Sequence, residues 1–173
     1  GKLDARKGTE TVLRLAREMP DVPFLALVWG DDFDRFKQAS PPNMEVRRFE
    51  SRQQLATALG EARIFLFPSK AETFGLVVAE AMASGCAVVG AAPINFEGRR
   101  IDPEDPVACR AALQALWDDP RACHRAGRAN VELAQVYSWA RHIDTLEATY
   151  EALLREHAAQ TGRTRPPLAR TAA

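Results

Sequence analysis

Short runs of purely apolar residues alternate with longer amphipathic segments along the first half of the chain. A strand that is apolar on both faces is typical of a parallel sheet covered by helices on both sides. Crossovers between parallel strands are right-handed, so the pattern predicts an α/β fold with a Rossmann-like, doubly wound parallel sheet. The predicted strands are residues 24–29, 64–67 and 86–90, with a weaker strand at residues 44–49.

Segments with a helical spacing of apolar residues lie between these strands and beyond them. Ser51 is a predicted helix cap, and Gly85 stands where a left-handed residue ends a helix. The predicted helices are residues 9–19, 52–62, 74–84, 107–117, 120–136 and 138–157. We therefore expect one domain over residues 1–158, with extra helices at its C-terminal end. Residues 159–173, rich in proline and arginine, are expected to be a disordered tail.

Charge and composition exclude several classes of protein. The chain has 23 Lys and Arg against 23 Asp and Glu, so it lacks the basic excess of a protein that binds nucleic acid through its phosphates. Its three cysteines fit neither a disulfide framework nor a metal-ligand spacing, which favours a reducing cytoplasm. No apolar run is long enough to span a bilayer. Any membrane association is expected to be peripheral, at the inner face.

Residues 64–91 combine strand, loop, helix, glycine turn and strand, and they carry the predicted chemistry. The loop follows a strand at the carboxyl edge of the sheet, where open α/β sheets bind ligands. The backbone N–H groups of Phe74, Gly75 and Leu76 open the next helix and have no partners inside it. Together with the helix dipole they favour an anion. Gly75 has no side chain, so a ligand can approach the backbone closely, and we predict a diphosphate site here.

Two carboxylates flank this predicted anion site. Glu72 precedes the helix and Glu80 follows eight residues later, roughly 12 Å along a continuous helix axis. That separation is too large for a shared proton but suits two parts of one long ligand. Because a carboxylate accepts hydrogen bonds from vicinal hydroxyls, the pair is suited to the sugar and the ribose of a nucleotide sugar.

The motif PSKAETFGLVVAEAMASGCAVV resembles the signature of retaining glycosyltransferases with the GT-B fold, the group 1 family with an E-x7-E pair. The opening GKLDARKG is similar to that family's segment at the start of the donor-binding domain. The resemblance covers residues 1 to about 155 and implies the C-terminal, donor-binding half of such an enzyme. It also implies a hexosyltransferase-type activity, and an N-terminal, acceptor-binding domain that is missing from this chain. The chain starts without Met, and we expect it to be a fragment that is inactive alone.

The resemblance also implies roles for single residues. Lys2 and Lys7 would neutralise the donor diphosphate, with Lys2 at a position where the family more often has Arg. Glu72 would contact the transferred sugar and Glu80 the ribose. The residues expected to act in catalysis are Lys7 and Glu72, and those expected to bind the donor are Lys2, Lys7, Glu72, Phe74, Gly75, Leu76 and Glu80. The substrate would be a UDP- or GDP-sugar, with no cofactor and no metal. The departing diphosphate would itself take the acceptor proton.

One departure from the family pattern leaves a second hypothesis open. The family's glycine-rich loop is shortened here to residues 92–105, without a Gly-Gly pair. The chain could therefore be a catalytically inactive GT-B half that serves as a binding or scaffolding module. A third reading, an unrelated nucleotide-binding Rossmann domain, is disfavoured because no G-x-G-x-x-G follows a strand.

Overall fold

The structure is a computed structural model that describes residues 1–161. The chain divides into a unit of residues 1–134 and a unit that starts at Gln135. The strands are β1 (Phe24–Val28), β2 (Met44–Arg48), β3 (Ile64–Phe67), β4 (Ala87–Gly90) and β5 (Gly98–Arg100). The helices of the first unit are α1 (Thr9–Glu18), α2 (Phe33–Ala39), α3 (Arg52–Glu61), α4 (Leu76–Ala83), α5 (Pro106–Asp118) and α6 (Pro120–Ala134), preceded by a 3-10 turn at Ala5–Lys7.

All strand pairs of the first unit are parallel, as the apolar runs predict. β1 pairs with β2, with Phe24 opposite Met44. β4 lies between β3 and β5, with Ile64 opposite Ala87 and Val88 opposite Gly98. Near the start of the chain, Lys2 forms an isolated parallel bridge with Trp29 at the end of β1.

The buried strand β4 shows how helices cover both faces of the sheet. Ala87 and Val89 belong to a core cluster that includes Leu113 of α5. Cys86, the residue directly before β4, lies in a second cluster with Ala81 of α4. Because successive residues of a strand point to opposite faces, both faces of β4 are in a core. This arrangement confirms the Rossmann-like fold class.

Two predicted helix caps are confirmed. The Ser51 hydroxyl accepts a hydrogen bond from the Gln54 N–H at the start of α3. Gly85 follows α4 with a φ of 83°. Its N–H donates to the Met82 carbonyl, and the Cys86 N–H donates to the Ala81 carbonyl. This is the Schellman pattern that satisfies the last carbonyls of a helix.

Several elements differ from their predictions. α2 (Phe33–Ala39) was not among the predicted helices. α4 begins at Leu76, two residues later than predicted, because Gly75 adopts a left-handed conformation with a φ of 88° and cannot lie inside the helix. β5 was not predicted, because its sequence Gly-Arg-Arg has no apolar pattern. It forms at the edge of the sheet, beside Val88–Gly90 of β4.

The second unit contains a short 3-10 turn, Gln135–Tyr137, and helix α7 (Trp139–Thr161). α7 therefore extends past residue 158, the predicted end of the domain. The rest of the predicted tail, residues 162–173, lies outside the described residues. Among residues 1–161, every helix is too short or too polar to cross a membrane.

Candidate functional site

The candidate site lies at the carboxyl edge of the sheet, where parallel strands deliver their following loops together. It is assembled from three parts of the first unit. The 3-10 turn with Lys7 precedes α1, and the loop of residues 68–75 joins β3 to α4. The third part is the start of α3, which follows β2.

The 3-10 turn is joined to the loop after β3 through backbone contacts. The Lys70 N–H donates to the Arg6 carbonyl at 2.7 Å, and the buried Ser69 hydroxyl lies within 3.4 Å of the same oxygen. Gly8 has a φ of 74°, and a Cβ there would lie 2.2 Å from the Pro68 carbonyl oxygen. Only glycine allows this approach, so the position of Lys7 is fixed relative to the loop.

Lys7, predicted from the opening segment, and Glu72, predicted from the motif after β3, are in direct contact. The Lys7 Nζ donates to Glu72 Oε2 at 2.7 Å, and the Glu72 side chain is only 19% exposed. Glu72 Oε1 also accepts a hydrogen bond from the Thr73 N–H at 3.2 Å. The hydrogen bond from Lys7 is the main cause that lowers the pKa of Glu72, and partial burial opposes it. A cation and a carboxylate are thus paired at the loop between β3 and α4.

The lowered pKa of Glu72 gives a first prediction. In the folded chain we expect its carboxyl to titrate below its ordinary value of 4.5, and in Lys7→Met we expect the midpoint to return toward that value. Carbon-detected NMR of the Glu72 carboxyl measures both midpoints. Since the folded pKa is the depressed one, the pair stabilises the fold above the unfolded pKa, and this contribution is lost as pH falls through the folded pKa.

The exposed Lys37 of α2 provides a matched control for this titration. Lys37→Met removes the same charge from a residue that is not among the causes of the Glu72 shift, and it is expected to leave the midpoint of Glu72 unchanged. An equal midpoint in the parent chain and in Lys7→Met would show that the ion pair does not form in solution.

The amino end of α4 presents backbone donors, but not the predicted set: the helix begins at Leu76, so Phe74 precedes its N-cap. Gly75 is the N-cap of α4, and because it has no side chain it cannot cap the helix with one. The first hydrogen bond of the helix runs from the Val78 N–H to the Gly75 carbonyl. The N–H groups of Leu76 and Val77 therefore stand at the first turn, where a helix leaves its donors without intrahelical partners. A Cβ on Gly75 would lie 3.5 Å from Glu72 Cγ. The glycine thus lies beside the side chain of Glu72.

The late start of α4 also corrects the separation expected between the two glutamates. Glu72 lies in the loop, so the roughly 12 Å calculated along a continuous helix does not apply. Glu80 is the fifth residue of α4 and its Oε1 accepts a hydrogen bond from Arg52 Nη1 at 3.1 Å. The Arg52 side chain is 87% exposed and that of Glu80 is 39% exposed. Each glutamate therefore has a basic partner.

Arg52 is a site residue that the sequence analysis missed. The sequence did contain a signal for it, because Arg52 directly follows the Ser51 cap. The first turn of a helix that follows a parallel strand lies at the carboxyl edge of the sheet, where ligands bind. Lys2, by contrast, does not join the Lys7–Glu72 pair through any contact that the structure shows. Its Nζ lies 5.8 Å from the centre of the Trp29 ring, a cation–π contact at the end of β1.

The shortened loop after β4 is packed into the first unit, to which it belongs. Ala92 and Ile94 are only 1% and 5% exposed. The Arg100 guanidinium donates to the carbonyl oxygens of both residues at 2.9 and 2.7 Å, and it lies 4.5 Å from the centre of the Phe96 ring. Arg100 thus organises this loop. Among residues 1–161 there is no cluster of three or more His, Cys, Asp or Glu side chains placed to hold a metal ion.

Comparison with solved structures establishes the class of fold. The chain resembles a sucrose-phosphate synthase from Thermosynechococcus elongatus, with a TM-score of 0.74 and 22% identity over 90% of this chain and 44% of that one. It also resembles the C-terminal domain of a group 1 glycosyl transferase, LpcC, from Francisella tularensis, with a TM-score of 0.67 and 22% identity over 79% of this chain and 82% of that one. The fold is that of the C-terminal half of a GT-B protein.

The sequence places the chain within one family of that class. The model of the family described as glycosyl transferases group 1 matches residues 1–119, and the chain belongs to this family. Over 87% of its length the chain is 31% identical to a D-inositol 3-phosphate glycosyltransferase of Corynebacterium diphtheriae, of which it covers 40%. The chain thus spans about 40% of the length of such curated relatives.

Proposed function

We propose that the chain is the donor-binding domain of a retaining glycosyltransferase that takes a sugar from a nucleotide diphosphate sugar. The contact between Lys7 and Glu72, at the amino end of α4, is the observation that supports this most directly. A cation suited to phosphate and a carboxylate suited to hydroxyl groups stand side by side where a sugar–phosphate bond would need both.

In this proposal the diphosphate binds between Lys7 and the first turn of α4. The Leu76 and Val77 N–H groups and the positive end of the helix dipole would donate to phosphate oxygens, and Lys7 would add a full charge. Negative charge grows on the diphosphate as the sugar departs. These same groups would then stabilise the leaving group, the part of the transition state where charge develops.

The two glutamates would hold the two polyhydroxyl ends of the donor. Glu72, beside Lys7, would accept hydrogen bonds from the transferred hexose, and Glu80 would accept them from the ribose. Arg52, which contacts Glu80, would then lie next to the nucleoside. Phe74 and Gly75 connect the two parts, and glycine suits this position because its φ of 88° lies in the left-handed region.

For the transfer itself, the proposal needs no protein nucleophile. A bond forms between the acceptor oxygen and the anomeric carbon, on the face from which the diphosphate leaves. The acceptor proton passes to a diphosphate oxygen, which balances the charge and retains the anomeric configuration. The acceptor site would belong to a second domain of a longer protein, consistent with the 40% of its relatives' length that this chain spans.

Titration calorimetry of the 173-residue chain with UDP, GDP and ADP tests the donor site. We expect saturable binding of UDP or GDP, weakened about tenfold or more in Glu80→Gln because each hydrogen bond to a charged group contributes roughly 1.5–3 kcal/mol. Glu132→Gln, an exposed glutamate on α6, is the matched control and should bind like the parent.

Two results would contradict this proposal. A folded chain that binds none of the three nucleotides would favour the inactive half that serves as a binding or scaffolding module. Equal weakening in Glu80→Gln and Glu132→Gln would show that binding depends on overall charge and not on the site.

A further inference from the structure

A groove with a volume of about 280 Å³ lies between the start of β5 and helix α6. Its lining includes the apolar side chains of Leu116 and Ala126. The buried Asn130 side chain of α6 contacts Cys86 and Glu97, the residues that directly precede β4 and β5. The groove therefore lies at the amino ends of these strands. The candidate donor site is at the opposite, carboxyl edge of the sheet, so the two are separate parts of the first unit.

Two arginines line this groove without carboxylate partners. Arg99 of β5 and Arg125 of α6 are both exposed. Among the described residues, neither guanidinium takes part in an ion pair. Arg99 Nη1 makes only a long hydrogen bond, 3.4 Å, to the Gly98 carbonyl. Two like charges that line one small groove repel each other, and an anion bound there would reverse the sign of this interaction.

The backbone of β5 adds a third donor beside the groove. The Val88 N–H donates to the Glu97 carbonyl at 3.1 Å, so that carbonyl points toward β4. The C=O and N–H of one trans peptide point in opposite directions, so the Gly98 N–H points away from β4. In the part of the chain that the structure describes, no strand pairs with this edge. The Asn130 amide contacts both the N–H and the carbonyl of Glu97, which fixes the direction of the peptide.

The Glu97 side chain is exposed and also lines the groove. It forms no ion pair with either arginine in the described chain, and its carboxylate can therefore accept a hydrogen bond from a hydroxyl group. The volume of the groove is slightly below the range of roughly 300–1,000 Å³ that is usual for drug-sized ligands. Its donors, its one acceptor and its size together favour a compact anion that carries a hydroxyl group.

We propose that this groove is a binding site for a small phosphate ester with a hydroxyl group. The phosphate would lie between the Arg99 and Arg125 guanidinium groups, whose planar forks of N–H donors match phosphate oxygens. The Gly98 N–H would donate to a further phosphate oxygen, and Glu97 would accept from the hydroxyl group. The site does not involve the residues of the proposed donor site.

NMR titration of the 173-residue chain with glycerol phosphate and with inorganic phosphate tests this site. We expect saturable shifts of the Gly98 and Ala126 amides with both probes. Glycerol phosphate should bind more tightly, because only it can donate a hydroxyl group to Glu97. In the double variant Arg99→Gln/Arg125→Gln we expect its dissociation constant to rise at least tenfold, since two charged donors are lost. Both arginines are exposed, so this variant should fold like the parent.

The double variant Arg35→Gln/Arg110→Gln is the matched control. It removes the same charge from exposed arginines of α2 and α5 that do not line the groove, and it should bind like the parent. Equal weakening in the two double variants would overturn the proposal, because binding would then depend on total charge. Shifts confined to the Leu76 and Val77 amides would also overturn it, because the anion would then bind at the amino end of α4.

Two further comparisons test the chemical class of the ligand. Equal affinities for glycerol phosphate and inorganic phosphate in the parent chain would overturn the contact between Glu97 and a hydroxyl group. Cosedimentation with phosphatidylglycerol vesicles distinguishes a lipid headgroup from a small ester. Vesicle binding that is lost in Arg99→Gln/Arg125→Gln, without Gly98 shifts for either small probe, would replace the proposed ligand by a membrane surface. No measurement here uses a nucleotide, so this site and the proposed function can fail separately.

Discussion

Replacing Lys7 with Gln is expected to lower the affinity of the chain for UDP or GDP by about 10- to 100-fold. A hydrogen bond between charged partners contributes roughly 1.5–3 kcal/mol, and each 1.4 kcal/mol is a factor of ten in the dissociation constant. Lys7 is the charged member of the proposed diphosphate site, and its position is fixed by the backbone contact between Arg6 and Lys70. Titration calorimetry at constant ionic strength measures the change.

The loss in Lys7→Gln is expected to exceed that in Lys37→Gln, because Lys37 is an exposed residue of α2. Long-range attraction of an anion depends on total charge, which both variants change equally, and salt screens it. Lys7→Gln should also weaken the dependence of nucleotide affinity on salt. Equal affinities in the two variants would remove Lys7 from the diphosphate site while leaving other donor contacts open.

Replacing Gly127 with Ala is expected to lower the free energy of unfolding by about 3 kcal/mol, the upper range of overpacking costs. A Cβ at Gly127, in α6, would lie 2.1 Å from the Gly85 carbonyl oxygen. This oxygen is a backbone atom and cannot rotate away as a side chain could. Helix α6 would therefore have to shift away from the Gly85 turn that ends α4. At this chain length the melting temperature should fall by about 6–12 °C.

Gly60→Ala is the matched control for this substitution. Gly60 also lies in a helix, α3, and a Cβ there would meet no atom within 4 Å. Alanine is the better helix former by about 1 kcal/mol, so this variant should be slightly more stable than the parent. Thermal and urea unfolding compare the two variants. A Gly127→Ala chain as stable as Gly60→Ala would show that α6 does not approach Gly85 this closely.

Local chemistry was enough to predict most of the first unit. The apolar run at Ile64–Phe67 became β3 with the same bounds, and the Gly85 turn ends α4 as predicted. β5 could not be predicted, because long-range contacts fix it. The buried Asn130 side chain of α6 accepts from the Glu97 N–H and donates to the Glu97 and Cys86 carbonyls. Nothing near Glu97 in the sequence carries that information.

In the candidate site, too, some features could be predicted from local sequence and others depend on long-range contacts. The opening segment indicated Lys7 and the motif indicated Glu72, and the structure brings them together across 65 positions of sequence. The place of Arg52 after the Ser51 cap puts it at the carboxyl edge, but its pairing with Glu80, 28 residues away, depends on how α3 and α4 pack. The later start of α4 depends on the left-handed conformation of Gly75, which a helical apolar pattern does not reveal.

The close approach of Gly8 to Pro68 bears on the entropy of ligand binding. Two segments more than sixty residues apart present their charged groups from a shared, already rigid backbone, so a ligand would order little main chain on arrival. Most of the freedom lost would come from long side chains, and above all from Arg52. If the proposed diphosphate site is correct, adaptation to different nucleosides would depend on that arginine, and the contacts to the diphosphate would be the same for each nucleotide.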